Sequence, residues 1–113
     1  MTTARGCRAA LLLLTAIGLA PLAAAAADPD GKALYQANCA KCHGPDGRAE
    51  TPVSKSMKAP SLVDSKSAKG DASLLAERIR AIDKHKPTTA DLSQAQISAI
   101  ARAVHDMAKP AKP

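Results

Sequence analysis

The residues best placed to do chemistry lie in one stretch, Cys39-Ala40-Lys41-Cys42-His43, followed by Gly44-Pro45-Asp46-Gly47. Two cysteines three apart share one face of a helical turn, so both sulfurs can reach one planar ligand. A histidine directly after the second cysteine completes the C-x-x-C-H signature of c-type haem attachment. In that chemistry two thioether bonds to the vinyl groups fix the porphyrin, and the adjacent imidazole meets the iron. Cys39 and Cys42 are then the expected covalent anchors, and His43 the expected proximal ligand.

Two other chemistries use such a pair. A thioredoxin-type dithiol needs a βαβ setting, and no strand-like alternation surrounds this motif. A zinc site needs further ligands, and beyond Cys7 the chain has no third cysteine and only two more histidines, His85 and His105, both distant. A small C-x-x-C thiol protein would give titratable thiols and a colourless preparation.

The elements that must position this motif belong to one small domain. The chain has 113 residues, one Tyr, no Phe, no Trp and a formal charge of +6. So short a chain with a single aromatic residue builds only a modest apolar core. A covalent haem, an apolar disc with two tethers, is the kind of staple such a domain uses.

Residues 1–27 read as a signal peptide outside the fold. Arg5 and Arg8 form a positive n-region, Ala9–Ala20 an apolar run, and Ala25-Ala26-Ala27 a cleavage site before Asp28. Pro21 interrupts the run, which is short for a bilayer span, so stable membrane insertion is not expected. Cys7 precedes the apolar run and would leave with the leader, so Cys39 and Cys42 remain in an oxidising, periplasmic compartment. Cleavage removes two of the 16 basic residues and none of the 10 acidic ones, lowering the charge from +6 to +4. No aromatic residue interleaves the basic ones, so no nucleic-acid surface is read.

In residues 28–113, Asp28-Pro29-Asp30 predicts a helix start, with Asp28 as N-cap and Pro29 at the first helical position. Gly31, four residues before Tyr35, suggests close approach by another helix. Residues 48–69 read as a loop with one short helical turn. Asp71 can cap a helix over 72–83 with Leu75, Ile79 and Ile82 as its apolar stripe, ended by Lys84-His85-Lys86-Pro87. Ser93 with Gln96 forms a capping box for a last helix over 94–108. Its stripe of Ile97, Ile100, Ala101, Val104 and Met107 should pack across the first helix, with His105 solvated on the flank.

Gly31-Lys32-Ala33-Leu34-Tyr35 leading to Cys39-Ala40-Lys41-Cys42-His43-Gly44 and Gly47 resembles the N-terminal helix and haem motif of class I c-type cytochromes. The similarity runs over nearly all of residues 28–113. It implies an all-α fold of three main helices and loops wrapped around one haem c, with electron transfer as the activity. Ala59-Pro60-Ser61-Leu62 resembles the family's G-P-x-L segment. The resemblance thus implies that the Pro60 carbonyl accepts a hydrogen bond from the proximal histidine and that Leu62 packs on the haem. Where the family has an aromatic residue in the last helix, this chain has Ala103, so Gly31 should meet a smaller partner.

The family commonly places a distal methionine just before the last helix. Here the matching segment is His85-Lys86-Pro87, so the resemblance implies His43/His85 bis-histidine ligation. Met57, in the long loop, is the alternative distal ligand, while Met107 reads as core. Lys86 could ligate only after losing its proton. Histidine in place of methionine poises the iron at lower potential.

The expected function is a soluble, monomeric, monohaem one-electron carrier and not an enzyme. It would dock transiently on redox partner proteins through rim charges such as Lys41, Lys84 and Lys86. The alternative is a haem c subunit of a periplasmic redox enzyme complex, or a haem-based ligand-binding sensor. A permanent subunit should expose a contiguous apolar patch, and the sequence shows no surplus of apolar residues for one.

Overall fold

A computed structural model of the chain describes residues 28–110 and the single position Gly18. The leader read over residues 1–27 therefore lies, Gly18 aside, outside the described residues. The described residues are mostly helical, with no strand among them, in agreement with an all-α fold. In chain order the helices are α1 (Gly31–Asn38), α2 (Ala40–His43), α3 (Pro52–Met57), α4 (Lys66–Lys69), α5 (Ala72–Ala81), α6 (Lys86–Thr89) and α7 (Gln94–Ala108). A 3-10 turn, Asp83–His85, joins α5 to α6.

Local chemistry sets most helix starts. The Asp71 carboxylate accepts the Ser73 and Leu74 N–H groups at the head of α5. Ser93 and Gln96 form the reciprocal capping box of α7, and Thr51 and Ser65 cap α3 and α4. The first helix starts later than its Asp-Pro pair suggests. Asp30, not Asp28, accepts the Lys32 and Ala33 N–H groups, and Gly31 is the first helical residue. A carboxylate that satisfies two orphan donors outweighs the preset φ of Pro29.

Three further expectations need correction. The 48–69 region holds two short helices, α3 and α4, rather than one turn. Pro87 does not stop a helix; it sits in the first turn of α6, where no backbone N–H is required, and Lys86 is helical. Ile82 lies beyond the end of α5 and is 39% exposed, so the apolar stripe ends at Ile79.

The core lies where α7 crosses α1 and α5. Tyr35, Leu75, Ala76, Ile97, Ile100, Ala101 and Val104 fill it, with Met107 packed at its edge. Gly31 makes the α1–α7 crossing possible. A Cβ built there would stand 2.1 Å from the Ala99 carbonyl oxygen and 3.3 Å from the Ala103 Cβ. The small partner expected at Ala103 is in place, and the backbones approach as closely as glycine allows.

His105 departs from its expected solvated state. Its Nδ1–H donates to the Ala68 carbonyl at 2.8 Å and ties α7 to the last turn of α4.

Candidate functional site

The motif forms because α1 runs almost directly into α2. The Cys39 N–H donates to the Tyr35 carbonyl at 2.8 Å and the His43 N–H to the Cys39 carbonyl at 3.0 Å, so the backbone ladder carries through both cysteines. Gly44 then breaks it with φ 82° and ψ 154°, a conformation that favours glycine. Tyr35, 1% exposed, donates its hydroxyl to the Gly44 carbonyl at 2.7 Å. The chain's one aromatic residue thus fixes the turn that follows His43.

Cys39, Cys42, His43 and His85 all line one cavity of about 620 Å³, its open mouth included. Its apolar walls are Leu62, Leu75, Ile79, Ile100 and Val104; Tyr35, Asn38, Lys84, Thr88 and Thr89 contribute the polar lining. Pro60 stands behind His43, and its carbonyl accepts from the His43 Nδ1–H at 3.0 Å. The Leu62 N–H donates to the Gly47 carbonyl at 2.7 Å, which draws the Pro60–Leu62 segment onto the loop after the motif.

Across the cavity His85 faces His43, ring centres 6.0 Å apart and ring planes at 77°. Its Nδ1–H donates to the Ile79 carbonyl at 2.9 Å. Both imidazoles therefore use Nδ1 on a backbone carbonyl, which leaves each Nε2 with its lone pair free. Two imidazole–metal bonds of about 2 Å, with the short distance from each nitrogen to its ring centre, span roughly 6 Å. The separation thus suits one metal ion held between the rings. Met57 closes α3 at 54% exposure and is not among the side chains lining the cavity.

Electrostatics separate the chemistries that a C-x-x-C-H stretch can serve. Burial, with a smaller push from Cys42, raises the Cys39 thiol to about 11. A redox dithiol needs the opposite shift, towards thiolate near neutral pH. Burial pushes the His43 imidazolium below its ordinary value; the Pro60 carbonyl opposes this, and nearby His85 adds to it. A neutral imidazole is the state that binds a metal. Burial and the neighbouring Cys39 likewise raise the Tyr35 phenol, which stays protonated as the donor to Gly44. Among the described residues no three Cys, His, Asp or Glu side chains gather closely enough to hold a metal ion as they stand.

The residues present fit a haem c. The two thiols lie on one rim, the walls are apolar, and the two imidazoles face each other across the space between. Cys39, Cys42 and His43 would hold it, Pro60 would orient His43, and Leu62 would form part of the wall. The tie from Tyr35 to Gly44 and the cavity-lining Thr88 and Thr89 were not foreseen from the sequence. Only the solitary Tyr35 carried a signal, as the one aromatic ring available to a chain that needs a core.

Among protein families, the model described as cytochrome c oxidase, cbb3-type, subunit III matches residues 26–102. Comparison with curated proteins and with solved structures returned no match.

Proposed function

Because the chain belongs to the family of cbb3-type cytochrome c oxidase subunit III, and so to the c-type cytochromes that transfer electrons through covalent haem c, we propose that it is a monohaem one-electron carrier with His43/His85 ligation. The observation that carries this reading is the facing pair of imidazoles, each tied through Nδ1 to a backbone carbonyl.

When bound, the haem supplies an iron that gains and loses one electron. The chain does the rest. Cys39 and Cys42 would hold the porphyrin by thioethers, and His43 and His85 would bind its iron. The carbonyls of Pro60 and Ile79 fix ring orientation and raise the basicity of each imidazole. Leu62, Leu75, Ile79, Ile100 and Val104 would give the haem an apolar wall. Two histidines favour the ferric state more than a histidine–methionine pair does, which suits a low-potential donor.

No bond to a substrate is made in this scheme, and no enzyme activity is proposed. Lys41, Lys84 and Lys86 are exposed, and Lys84 also lines the cavity. They would steer a transient, acidic redox partner and affect association rate more than affinity. Cytochrome c domains of this type are usually exported, and among the described residues no helix is long and apolar enough to cross a membrane. Export by a leader over residues 1–27 to the periplasm, one haem per chain and a monomeric state belong to the same proposal.

A second reading has one observation in its favour. The matching family is described as an oxidase subunit, so a haem c subunit of a larger redox complex is the alternative. Sizing of the native protein separates the two: a lone carrier elutes as a small monomer, and a subunit elutes with partners.

The ligation is tested by optical and EPR spectra of the oxidised protein before and after His85→Ala. A low-spin bis-imidazole spectrum that turns high-spin on substitution is expected. Methionine–iron absorption in the wild type, or a spectrum untouched by the substitution, would refute it.

A further inference from the structure

α5, like α7, ends without the backbone return that closes the five shorter helices. The C-cap residues of α1, α2, α3, α4 and α6 each return a backbone N–H to the last turn. At the end of α5, Ile82 is extended (φ −78°, ψ 121°) and returns none. The last carbonyls of a helix need partners from somewhere. One of them, Ile79, finds its partner in a side chain, the Nδ1–H of His85 at 2.9 Å.

The backbone of that histidine is tied down as well. The His85 N–H donates to the Ile82 carbonyl at 2.9 Å, and the Thr89 hydroxyl donates to the His85 carbonyl at 3.1 Å. The ring is thus oriented by groups that lie wholly within residues 79–89. The Ile79 side chain meanwhile lines the cavity that the ring faces.

We propose that His85 is the C-terminal cap of α5 as well as the distal ligand, so that Ile79 positions the ligand through its carbonyl and loss of the ring frays the last turn of α5. This rests on the bis-histidine reading. A helix C-terminus carries partial negative charge, and a donor placed there is favoured. Donation from Nδ1 also enriches Nε2, the atom that meets the metal. Coordination and helix termination then reinforce each other. A small molecule competing for the distal site must displace a side chain that is anchored at its far edge.

The test is amide hydrogen exchange on the holoprotein, comparing wild type with His85→Ala in saturating free imidazole. Free imidazole restores a second nitrogen ligand to the iron but no tie to the Ile79 carbonyl. The Arg80 and Ala81 amides are expected to exchange roughly tenfold faster in the variant, about one hydrogen bond's worth. The Ile100 and Val104 amides in α7 should be unchanged. His85→Met, which offers a ligand atom and no ring donor, is the second variant and should show the same local acceleration. Wild-type exchange at Arg80 and Ala81 in either variant overturns the proposal. A His85→Ala spectrum that matches wild type without imidazole would instead overturn the ligation reading, so the two failures are distinguishable.

Discussion

The two sides of the cavity are built by opposite strategies. On the His43 side the support comes from afar in sequence: Pro60 holds the ring from 17 residues away, Gly47 accepts from Leu62, and Tyr35 reaches forward to Gly44. On the His85 side every support lies between Ile79 and Thr89. The first side closes only when distant segments have met, and in the proposed function thioether anchors would then lock it. The second is a short strap whose ties are all local, the kind of segment that opens at lower cost than a core. On the proposed function, the difference gives permanence to the attachment side and adjustability to the side of the sixth ligand.

The largest expected contrast is between the two histidines themselves. His43→Ala removes the ligand next to the anchors and leaves the Pro60 carbonyl without its partner. Recovery of folded, haem-bearing protein should fall by at least an order of magnitude. His85→Ala should leave a coloured, folded protein with altered spin state. Haem absorbance per chain, with intact mass for the thioether bonds, measures both. Equal recovery of the two variants would erase the asymmetry.

A smaller contrast concerns the hydroxyls that brace each side. Tyr35→Phe leaves a buried Gly44 carbonyl without a donor and should cost about 1.5 kcal/mol. Thr89→Val removes a local bond of a side chain four residues on, worth about 0.5 kcal/mol. For a domain of this size the first should lower Tm by several degrees and the second by far less, as read by thermal melts of the holoprotein. A Thr89 variant as unstable as the Tyr35 variant would show the strap to be part of the core.

That asymmetry also decides what was legible in the sequence. Cys39, Cys42 and His43 could be read because their chemistry is written in five consecutive letters. Asp71 and the Ser93–Gln96 pair placed the starts of α5 and α7 because caps act over three residues. Pro60 and Leu62 came from resemblance; spacing alone could not show that the Pro60 carbonyl meets His43. His105 looks solvated in the sequence because its partner, the Ala68 carbonyl, lies 37 residues away and leaves no local trace. Asp30 takes the capping role expected of Asp28 because two acids beside one proline are both good caps, and it is the Asp30 carboxylate that reaches the Lys32 and Ala33 N–H groups. Pro87 was read as a stop, since a proline at the first turn of a new helix looks the same in sequence as one that ends the last.

The smallest expected effect probes the strap from its far end, through pH. Asp71 caps α5, the helix whose other end holds His85. The N–H of Leu74 and then that of Ser73 hold its carboxyl below the ordinary value of 3.8. A carboxylate lowered on folding stabilises fully above its unfolded pKa, and that contribution is lost as pH falls through the lower folded value. Acid should therefore loosen the head of α5 and, through the helix, the support of the distal ring. Asparagine caps nearly as well and does not titrate. Asp71→Asn should thus match wild type near pH 7 and lose less Tm on acidification to pH 3, with the wild-type spin state shifting more over the same range. Equal steepness in the two proteins would place the acid sensitivity elsewhere and leave the strap independent of the cap that starts its helix.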